Sequence, residues 1–325
     1  MFNLHLGNSL DHYHNWPAPA VIVSDGPYGI SGYEGDPADA KHLPDLYEPH
    51  VVEWTKKSNH STVLWFWCTE LGWATVHPVL EKHGWKYQSC NIWNKGIKHI
   101  AGNCNGQTMR KFPVVTEVCV QYVRNPDFIC INGLTVQKWI RSEWQRTGLK
   151  FSLANEACGV KNAATRKYLT LDKHFYFPPE PVFQKLAAYA NLYGDPAGKP
   201  YFELPEDMSK KGGWSRLWYN WNFEYGVTNV WDIPALRNRE RIKNGTKTLH
   251  LNQKPLTLMH RIIKAVCETG DVVWEPFGGL ASASVAALQL KCIPYAAELN
   301  LDYYKLALAR LEETKQSLTS NHHIL

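Results

Sequence analysis

The chain has 325 residues, enough for one large hydrophobic core or two modest ones. Its hydrophobic fraction of 44% and charged fraction of 20% are typical of a globular protein that folds in water. The sequence has no apolar run long enough to cross a bilayer and does not begin like a secretory signal, so we expect a cytoplasmic protein without a membrane partner. The eight cysteines are scattered and include no Cys-x-x-Cys pair, which predicts buried thiols and no metal site.

The first predicted elements are two short strands near the N-terminus. Residues 4–6 alternate in polarity and reach a Gly-Asn turn, which predicts a strand that ends beside Asn8. Residues 21–24 are apolar and mostly β-branched, which indicates a buried parallel strand. A Gly-Pro pair then ends this strand in a tight turn, Asp25–Tyr28. Open α/β sheets place their chemistry at such carboxyl ends.

The residue types in this turn suit one kind of chemistry. A carboxylate beside a backbone carbonyl offers two acceptors, which match the two N–H donors of an exocyclic amino group. The ring of Tyr28 can stack on the base that carries the amine. An ordinary strand end with a solvated Asp25 fits the same four residues, so the functional interpretation depends on the rest of the chain.

The next part of the chain has the pattern of an α/β sheet. Residues 31–49 are rich in Gly, Pro and Asp and predict a loop near the turn. The elements predicted after it are a helix over 49–57, a strand over 62–67, a helix over 71–83, and strands over 87–93 and 114–123.

Residues 136–169 have a helical and basic pattern, and the basic excess is counted over the segment 138–173. It carries eight basic and three acidic residues, a difference that equals the net charge of the whole chain, +5. Such a local excess is the electrostatic footprint of a phosphate-binding segment. Within it, residues 153–169 predict a helix-turn-helix in which Gly159 ends one helix and Val160 plugs the core, although a hairpin of helices that only packs also fits. The residues predicted to bind DNA are Lys150, Lys161, Asn162, Thr165, Arg166 and Lys167.

A second strand and turn occupy residues 271–282. They precede a predicted helix over 282–291 and a strand over 292–297 that ends at Glu298. A tight turn of small residues with an acid about twenty residues further on is the Rossmann arrangement for an adenosyl group, in which the acid binds ribose hydroxyls. The turn is not Gly-x-Gly-x-x-Gly and has no cradle for a pyrophosphate, which favours a cofactor without phosphate.

Several of these stretches resemble the motifs of the DNA amino-methyltransferases, which methylate adenine N6 or cytosine N4. Asp25–Tyr28 resembles the Asp-Pro-Pro-Tyr motif, with Gly26 in place of a proline, which predicts a looser turn. Residues 250–255 resemble the His-Pro-Thr-Gln-Lys-Pro segment, and Asn8 stands where the family has an acid that contacts the cofactor's adenine. The order of these parts, with the catalytic strand first and the cofactor turn last, matches the family's β arrangement.

The turn near the end of the chain, within residues 271–282, resembles the family's Asp-Pro-Phe-x-Gly-Ser-Gly-Thr motif, which binds S-adenosylmethionine. Glu275 stands at the acid position and Gly279 at the first glycine. Ala281 replaces the second glycine and Ser282 replaces the threonine. The departures bear on the details of the contacts rather than on the assignment.

The resemblance implies an α/β fold: a Rossmann-like methyltransferase sheet with permuted motif order and an inserted, mainly helical target-recognition region. The catalytic half would span residues 1–133, the inserted region 134–212 and the cofactor-binding half 213–325. The implied cofactor is S-adenosylmethionine and the implied partner is double-stranded DNA. A homodimer and a cognate restriction endonuclease are left open.

The resemblance also assigns roles to residues. The catalytic residues would be Asp25, Gly26, Pro27 and Tyr28. The residues that would bind the cofactor are Asn8, Asp25, His250, Gln253, Lys254, Glu275, Pro276, Phe277, Gly279, Ala281, Ser282 and Glu298.

The predicted function is therefore site-specific transfer of a methyl group to the N6 amine of adenine in duplex DNA, after base flipping. In the family an acid at the first motif position leans towards adenine, and Asp25 is such an acid. Methylation of cytosine N4 is the alternative within the family. A DNA-binding regulator on a vestigial methyltransferase fold is the alternative of another class, which the departures at Gly26, Glu275 and Ala281 permit.

Overall fold

A computed structural model describes residues 1–31, 35–99, 107–124, 130–210, 213–222, 224–236, 243–244, 247–248 and 253–320. Within these ranges, the strands are β1 (Asn3–Leu6), β2 (Val21–Ser24), β3 (Val63–Cys68), β4 (Trp85–Asn94), β5 (Thr116–Arg124), β6 (Cys130–Ile131), β7 (Leu134–Thr135), β8 (Val230–Asp232), β9 (Lys243–Asn244), β10 (Lys247–Thr248), β11 (Val272–Glu275) and β12 (Ile293–Glu298). The helices are α1 (Leu43–Lys57), α2 (Glu70–Lys82), α3 (Val136–Arg146), α4 (Leu153–Ala157), α5 (Ala163–Tyr168), α6 (Glu180–Tyr193), α7 (Glu206–Lys210), α8 (Leu256–Lys264), α9 (Ser282–Gln289) and α10 (Leu301–Ser320). None of these helices has the length and apolar character that a membrane span needs.

The chain divides into two compact units. One combines Met1–Arg124 with Asn220–Leu325, and the other is Asn125–Tyr219. The first unit holds the large sheet. The second is mainly helical and has its own core, in which Trp139, Trp144 and Leu186 are buried. The functional division into a catalytic half, an inserted region and a cofactor-binding half stays a prediction.

The large sheet has eight strands in the order β1-β12-β11-β2-β3-β5-β4-β8. Its strands pair in parallel except at β5, which runs antiparallel to both of its neighbours. Every residue of β2 and β3 is buried, as expected of strands that are covered on both faces. The predicted α/β fold is confirmed, and strands from the two ends of the chain interleave in one sheet.

The sheet has a switch point between β11 and β2, which pair in parallel with Trp274 opposite Ile22. From β11 the chain passes through α9 to β12 on one side, and from β2 it passes through α1 to β3 on the other. Such divergence opens a crevice at the carboxyl ends of the two strands, where α/β proteins bind their ligands. The turns that follow β2 and β11 meet at this crevice.

Helix α1 starts earlier than the sequence pattern predicts. It begins at Leu43, and Pro49 lies inside it rather than in its first turn. Leu43 and Tyr47 are fully buried, so packing against the sheet extends the helix across residues that were predicted to form a loop.

Candidate active site

The turn that follows β2 is held in place by two side chains. The carboxylate of Asp36 accepts hydrogen bonds from the three successive amides of residues 28–30, at 2.8, 2.7 and 3.3 Å. The Tyr47 hydroxyl donates to the carbonyl of Pro27 at 2.9 Å. Sequence reasoning missed Asp36, although an acid before a proline in a Gly-rich stretch is a known turn signal.

Gly26 lies where the two strand ends come together. A Cβ atom at this position would lie 2.6 Å from the Phe277 ring and 2.7 Å from the Tyr47 hydroxyl. The missing side chain is thus used for close packing, and the expectation of a looser turn stays a prediction. The contact also brings the turn after β2, Asp25–Tyr28 (the early turn), against the turn after β11, residues 276–282 (the late turn).

The carboxylate of Asp25 is anchored through one of its oxygens. Asp25 Oδ1 accepts hydrogen bonds from the Tyr28 hydroxyl at 2.8 Å and from Lys254 Nζ at 2.7 Å. Lys254 Nζ also lies 3.3 Å from Glu117 Oε2, and the Tyr28 hydroxyl lies 3.2 Å from the same atom. Lys95 forms a second ion pair with Glu117. Within the described ranges Asp25 Oδ2 accepts no hydrogen bond, and the side chain is 21% exposed, so this oxygen is available to a ligand.

Burial and charge oppose each other in this cluster. Burial alone would lower the pKa of Lys254, but the charges of Asp25 and Glu117 outweigh it and the pKa is raised. Burial would likewise raise the pKa of Glu117, but the charges of Lys254 and Lys95 outweigh it and the pKa is lowered. Burial and the two nearby carboxylates hold the pKa of Tyr28 well above its usual value. The cluster therefore consists of two carboxylates, two ammonium groups and a neutral phenol.

Sequence reasoning missed Glu117 and Lys95. Glu117 is the one acidic residue of strand β5 and is buried, and a buried charge requires a partner. That signal could have marked Glu117 as part of a site, but its partners, Lys95 after β4 and Lys254 before α8, cannot be read from spacing.

Glu275 is placed differently from its predicted role. Its carboxylate is buried and accepts hydrogen bonds from the amides of Ala283 and Ser284, at 2.9 and 2.7 Å, and from the Ser284 hydroxyl at 2.5 Å. These donors belong to the first turn of α9, where an acid satisfies unpaired amides. Glu275 thus fixes the late turn to the helix behind it.

We expect Glu275→Gln to destabilise the protein by about 1–3 kcal/mol, because the new NH₂ group would face amide or hydroxyl donors. Burial raises the pKa of Glu275 to about 7, from 4.5 in an unfolded chain. The folded protein therefore binds the Glu275 proton more tightly than the unfolded chain does. The stability that this proton contributes is complete below pH 4.5 and is lost as pH rises through about 7. Urea unfolding of the wild-type protein and Glu275→Gln is measured from about pH 5 to about pH 8. The difference between their free energies of unfolding should narrow as pH rises, and a widening difference would contradict this account.

The late turn passes very close to the end of β12. Gly278 donates to the Ala297 carbonyl at 2.8 Å, and a Cβ on Gly278 would lie 2.9 Å from that oxygen. The carboxylate of Glu298 accepts from the Gly279 amide at 2.7 Å and from the Asn300 amide at 2.8 Å. Burial raises the pKa of Glu298, and the amide hydrogen bonds only partly oppose this. A carboxylate held at the strand end in this way suits ribose hydroxyls.

The remaining predicted cofactor residues occupy several positions. Asn8 follows β1 and accepts from the Leu10 amide at 3.0 Å. Ala281 adopts a left-handed φ of 56°, and the Ser282 hydroxyl accepts from Arg310 at 3.1 Å. Pro276 and Gln253 are buried, and His250 lies outside the described residues.

Four neighbouring strand ends present these groups in a line. Asn8 follows β1, Glu298 ends β12, the Gly278–Gly279 turn follows β11, and Asp25 follows β2. Strands in a sheet lie about 4.8 Å apart, so the line spans roughly 15 Å. An amide, a carboxylate and a tight turn in this order suit an adenine, a ribose and a phosphate-free chain, and Asp25 lies at the end of the line. The residues therefore fit S-adenosylmethionine.

Comparison with known proteins agrees with this geometry. The N6/N4 methyltransferase family model, described as DNA methylase, matches residues 20–309. The chain belongs to this DNA methylase family. The match includes the early turn, the late turn and the whole helical unit between them.

Individual relatives of this chain match shorter segments. "Type II methyltransferase M.ScaI" of Streptomyces caespitosus is 31% identical over 28% of this chain and 30% of its own length. "DNA adenine methyltransferase YhdJ" of Escherichia coli (strain K12) is 35% identical over 26% of this chain and 27% of its own length. These alignments thus span less than a third of either relative.

Solved structures share the fold of this chain across nearly its full length. PvuII DNA methyltransferase (cytosine-N4-specific) has a TM-score of 0.53 at 10% identity, covering 97% of this chain and 90% of that one. The M1.HpyAVI–SAM complex has a TM-score of 0.51 at 13% identity, covering 96% and 100%.

The helical unit contains the predicted DNA-binding residues. Two short helices, α4 and α5, are joined by a turn in which Gly159 has a φ of 71°. Val160 is 41% exposed, so the expectation that it plugs the core was wrong; Ala164 and Leu169 are buried instead. Thr165 is used internally, since its hydroxyl donates to Phe151 O at 3.0 Å. The other predicted contacts are exposed: Lys150, Lys161, Asn162, Arg166 and Lys167.

Proposed function

We propose that this methylase transfers a methyl group from S-adenosylmethionine to the N6 amine of adenine in double-stranded DNA. The observation that carries the proposal is the state of Asp25: it is anchored through Oδ1, its side chain is 21% exposed, and the next residue, Gly26, packs against Phe277 of the late turn. S-adenosylmethionine supplies a methyl group on a sulfonium leaving group.

The residues of the early turn would hold and orient the target amine. Asp25 Oδ2 and the Gly26 carbonyl would accept its two N–H groups, aim its lone pair at the methyl carbon and stabilise the positive charge that develops on nitrogen. Tyr28 is 3% exposed, and Lys254 Nζ lies 5.2 Å from the centroid of its ring. Stacking of a flipped base on Tyr28 therefore requires its surroundings to open.

The preference for adenine over cytosine N4 is the finer part of the proposal. It is supported by the carboxylate at position 25 and by the similarity to a relative whose name specifies adenine. The fold similarity to a cytosine-N4-specific enzyme keeps the alternative in view. A location in the cytoplasm, a homodimer and a cognate restriction endonuclease stay predictions from the sequence.

One experiment tests the reaction and the base together. The purified protein is incubated with S-adenosylmethionine carrying a labelled methyl group and with plasmid DNA from a methylation-deficient host. Nucleosides from the product are then analysed by mass spectrometry. We expect labelled N6-methyladenine; labelled N4-methylcytosine would support the cytosine alternative, and the absence of label across varied DNA would favour the vestigial regulator. Single-molecule sequencing of methylated DNA would identify the target sequence.

We further propose that the exposed cations of α5 and its preceding turn contact DNA phosphates. The double variant Lys161→Ala with Arg166→Ala should weaken binding similarly for all sequences and reduce the salt dependence by about two phosphate contacts. Fluorescence anisotropy with duplex DNA at several salt concentrations measures both effects. The control is Lys305→Ala, which removes an exposed lysine of α10. Equal losses of DNA affinity in the control and in the double variant would mean that the cations of α5 have no particular role in binding.

A further inference from the structure

Lys254 is buried between the carboxylates of Asp25 and Glu117. Its side chain is 1% exposed, and Nζ lies 5.2 and 5.4 Å from the ring centroids of Tyr28 and Trp67. An ammonium group carries three N–H donors. Here they meet Asp25 Oδ1 at 2.7 Å, the Tyr28 hydroxyl at 3.0 Å and Glu117 Oε2 at 3.3 Å.

This placement differs from the predicted role of Lys254 as a cofactor ligand. A lysine whose donors are directed at Asp25, Tyr28 and Glu117 acts on the carboxylate of the early turn. Losing Lys254 would leave Asp25 Oδ1 with the Tyr28 hydroxyl and would leave the two neighbouring carboxylates with a single ammonium group, that of Lys95.

We propose that Lys254 is a positioning residue for Asp25: it clamps Oδ1 so that Oδ2 faces the target amine, and Glu117 holds Lys254 in that place. The inference rests on the proposed function, because it assigns Asp25 the task of holding the amine. Glu117 is linked to Asp25 through Lys254, while the Tyr28 hydroxyl, which has one proton, lies within donating distance of either carboxylate. A fixed carboxylate matters because a misplacement of about 1 Å can cost about 100-fold in rate.

The clamp predicts a change in pH dependence. The ionisable groups around Asp25 are Glu117 on β5, Lys95 after β4, Lys254 before α8, and the Tyr28 phenol, with the thiols of Cys68 and Cys119 on β3 and β5. Burial raises the pKa of both thiols, so they stay neutral. Without Lys254 the two carboxylates share one cation, and a proton is retained between them up to higher pH.

The test compares Lys254→Met, Lys95→Met and the double variant Lys254→Met with Glu117→Gln. The two single variants remove one positive charge from the same cluster, but only the first removes the contact with Asp25. The double variant restores the balance of charge without the clamp and guards against misfolding of Lys254→Met. Three quantities are measured: the single-turnover rate against pH at saturating cofactor, the cofactor Kd by calorimetry, and the NMR titration of ¹³C-labelled carboxyl groups.

We expect Lys254→Met to lower the single-turnover rate on the plateau of the pH profile about 100-fold. The fall of the rate at acidic pH should begin about one to three pH units higher than in the wild-type protein. The cofactor Kd should stay within about threefold of the wild-type value. Lys95→Met should cost at least about tenfold less in plateau rate. In the double variant the acidic fall of the rate should return to the wild-type pH, but the plateau rate should stay low. A Kd raised about tenfold with an unchanged plateau would overturn the proposal, since Lys254 would then bind the cofactor.

The NMR titration is independent of activity. The Glu117 signal, assigned by its loss in Glu117→Gln, should titrate at higher pH in Lys254→Met than in the wild-type protein, because the charge of Lys254 lowers the Glu117 pKa. An unchanged Glu117 titration would overturn the clamp. If the wild-type protein transfers no methyl group to any DNA, the proposed function fails, and this titration still tests the part of the clamp in which Glu117 holds Lys254.

Discussion

Replacing Asp25 by alanine should abolish methyl transfer, with a loss of about 1000-fold or more, and leave the affinity for S-adenosylmethionine within a few-fold. The variant loses the carboxylate that we propose accepts the amine, and it leaves Glu117 as the carboxylate beside Lys254. The loss should therefore fall on the chemical step, where positive charge develops on the amine, rather than on cofactor binding. Single-turnover transfer of labelled methyl and calorimetric titration of the cofactor measure the two quantities separately.

Two further variants make this result specific. Asp25→Asn keeps the size of the side chain and one acceptor, so a comparable loss would show that the charge is needed. Asp302→Ala removes an exposed carboxylate from the first turn of α10 and should behave as the wild-type protein does. The assigned role of Asp25 would be wrong if Asp25→Ala retained more than about a tenth of the wild-type single-turnover rate.

The sequence predicted the parts of the molecule that depend on local pattern. The apolar run before Asp25 is the buried strand β2, and the strand before the late turn is β11. The order of motifs indicated that these two elements would lie together, and they pair directly. Local pattern succeeded here because a strand covered on both faces needs a continuous apolar run.

The parts that the sequence did not reveal depend on contacts between distant residues. Lys254 and Asp25 are separated by 229 positions, and Glu117 belongs to a third strand. No spacing rule relates such groups, because the order of the strands in the sheet brings them together. Glu275 shows the converse case: its type and position matched a cofactor motif, but its carboxylate is used to cap α9. A motif therefore indicated where to look for a site, and only the packing shows which groups each carboxylate contacts.

Gly26 joins the two halves of the site, which leads to the second large effect. Gly26→Pro would restore the proline of the Asp-Pro-Pro-Tyr motif, yet we expect it to reduce methyl transfer strongly and to destabilise the fold by about 1–3 kcal/mol. A Cβ there would lie 2.6 Å from the Phe277 ring and 2.7 Å from the Tyr47 hydroxyl, which itself bonds to Pro27. Either the turn or Phe277 must move, and both border the crevice.

A double-mutant cycle separates this steric cause from a general intolerance of the turn. Gly26→Ala adds the Cβ alone, and Phe277→Leu removes the ring that it would meet. Urea unfolding and single-turnover rates of both single variants and of the double variant give the coupling, which we expect to be favourable by about 0.5–3 kcal/mol in stability. Because the Tyr47 hydroxyl stays in place, the recovery should be partial. Strictly additive losses would mean that Gly26 and Phe277 act independently, and the close contact between the two strand ends would then have no part in holding Asp25 at the crevice.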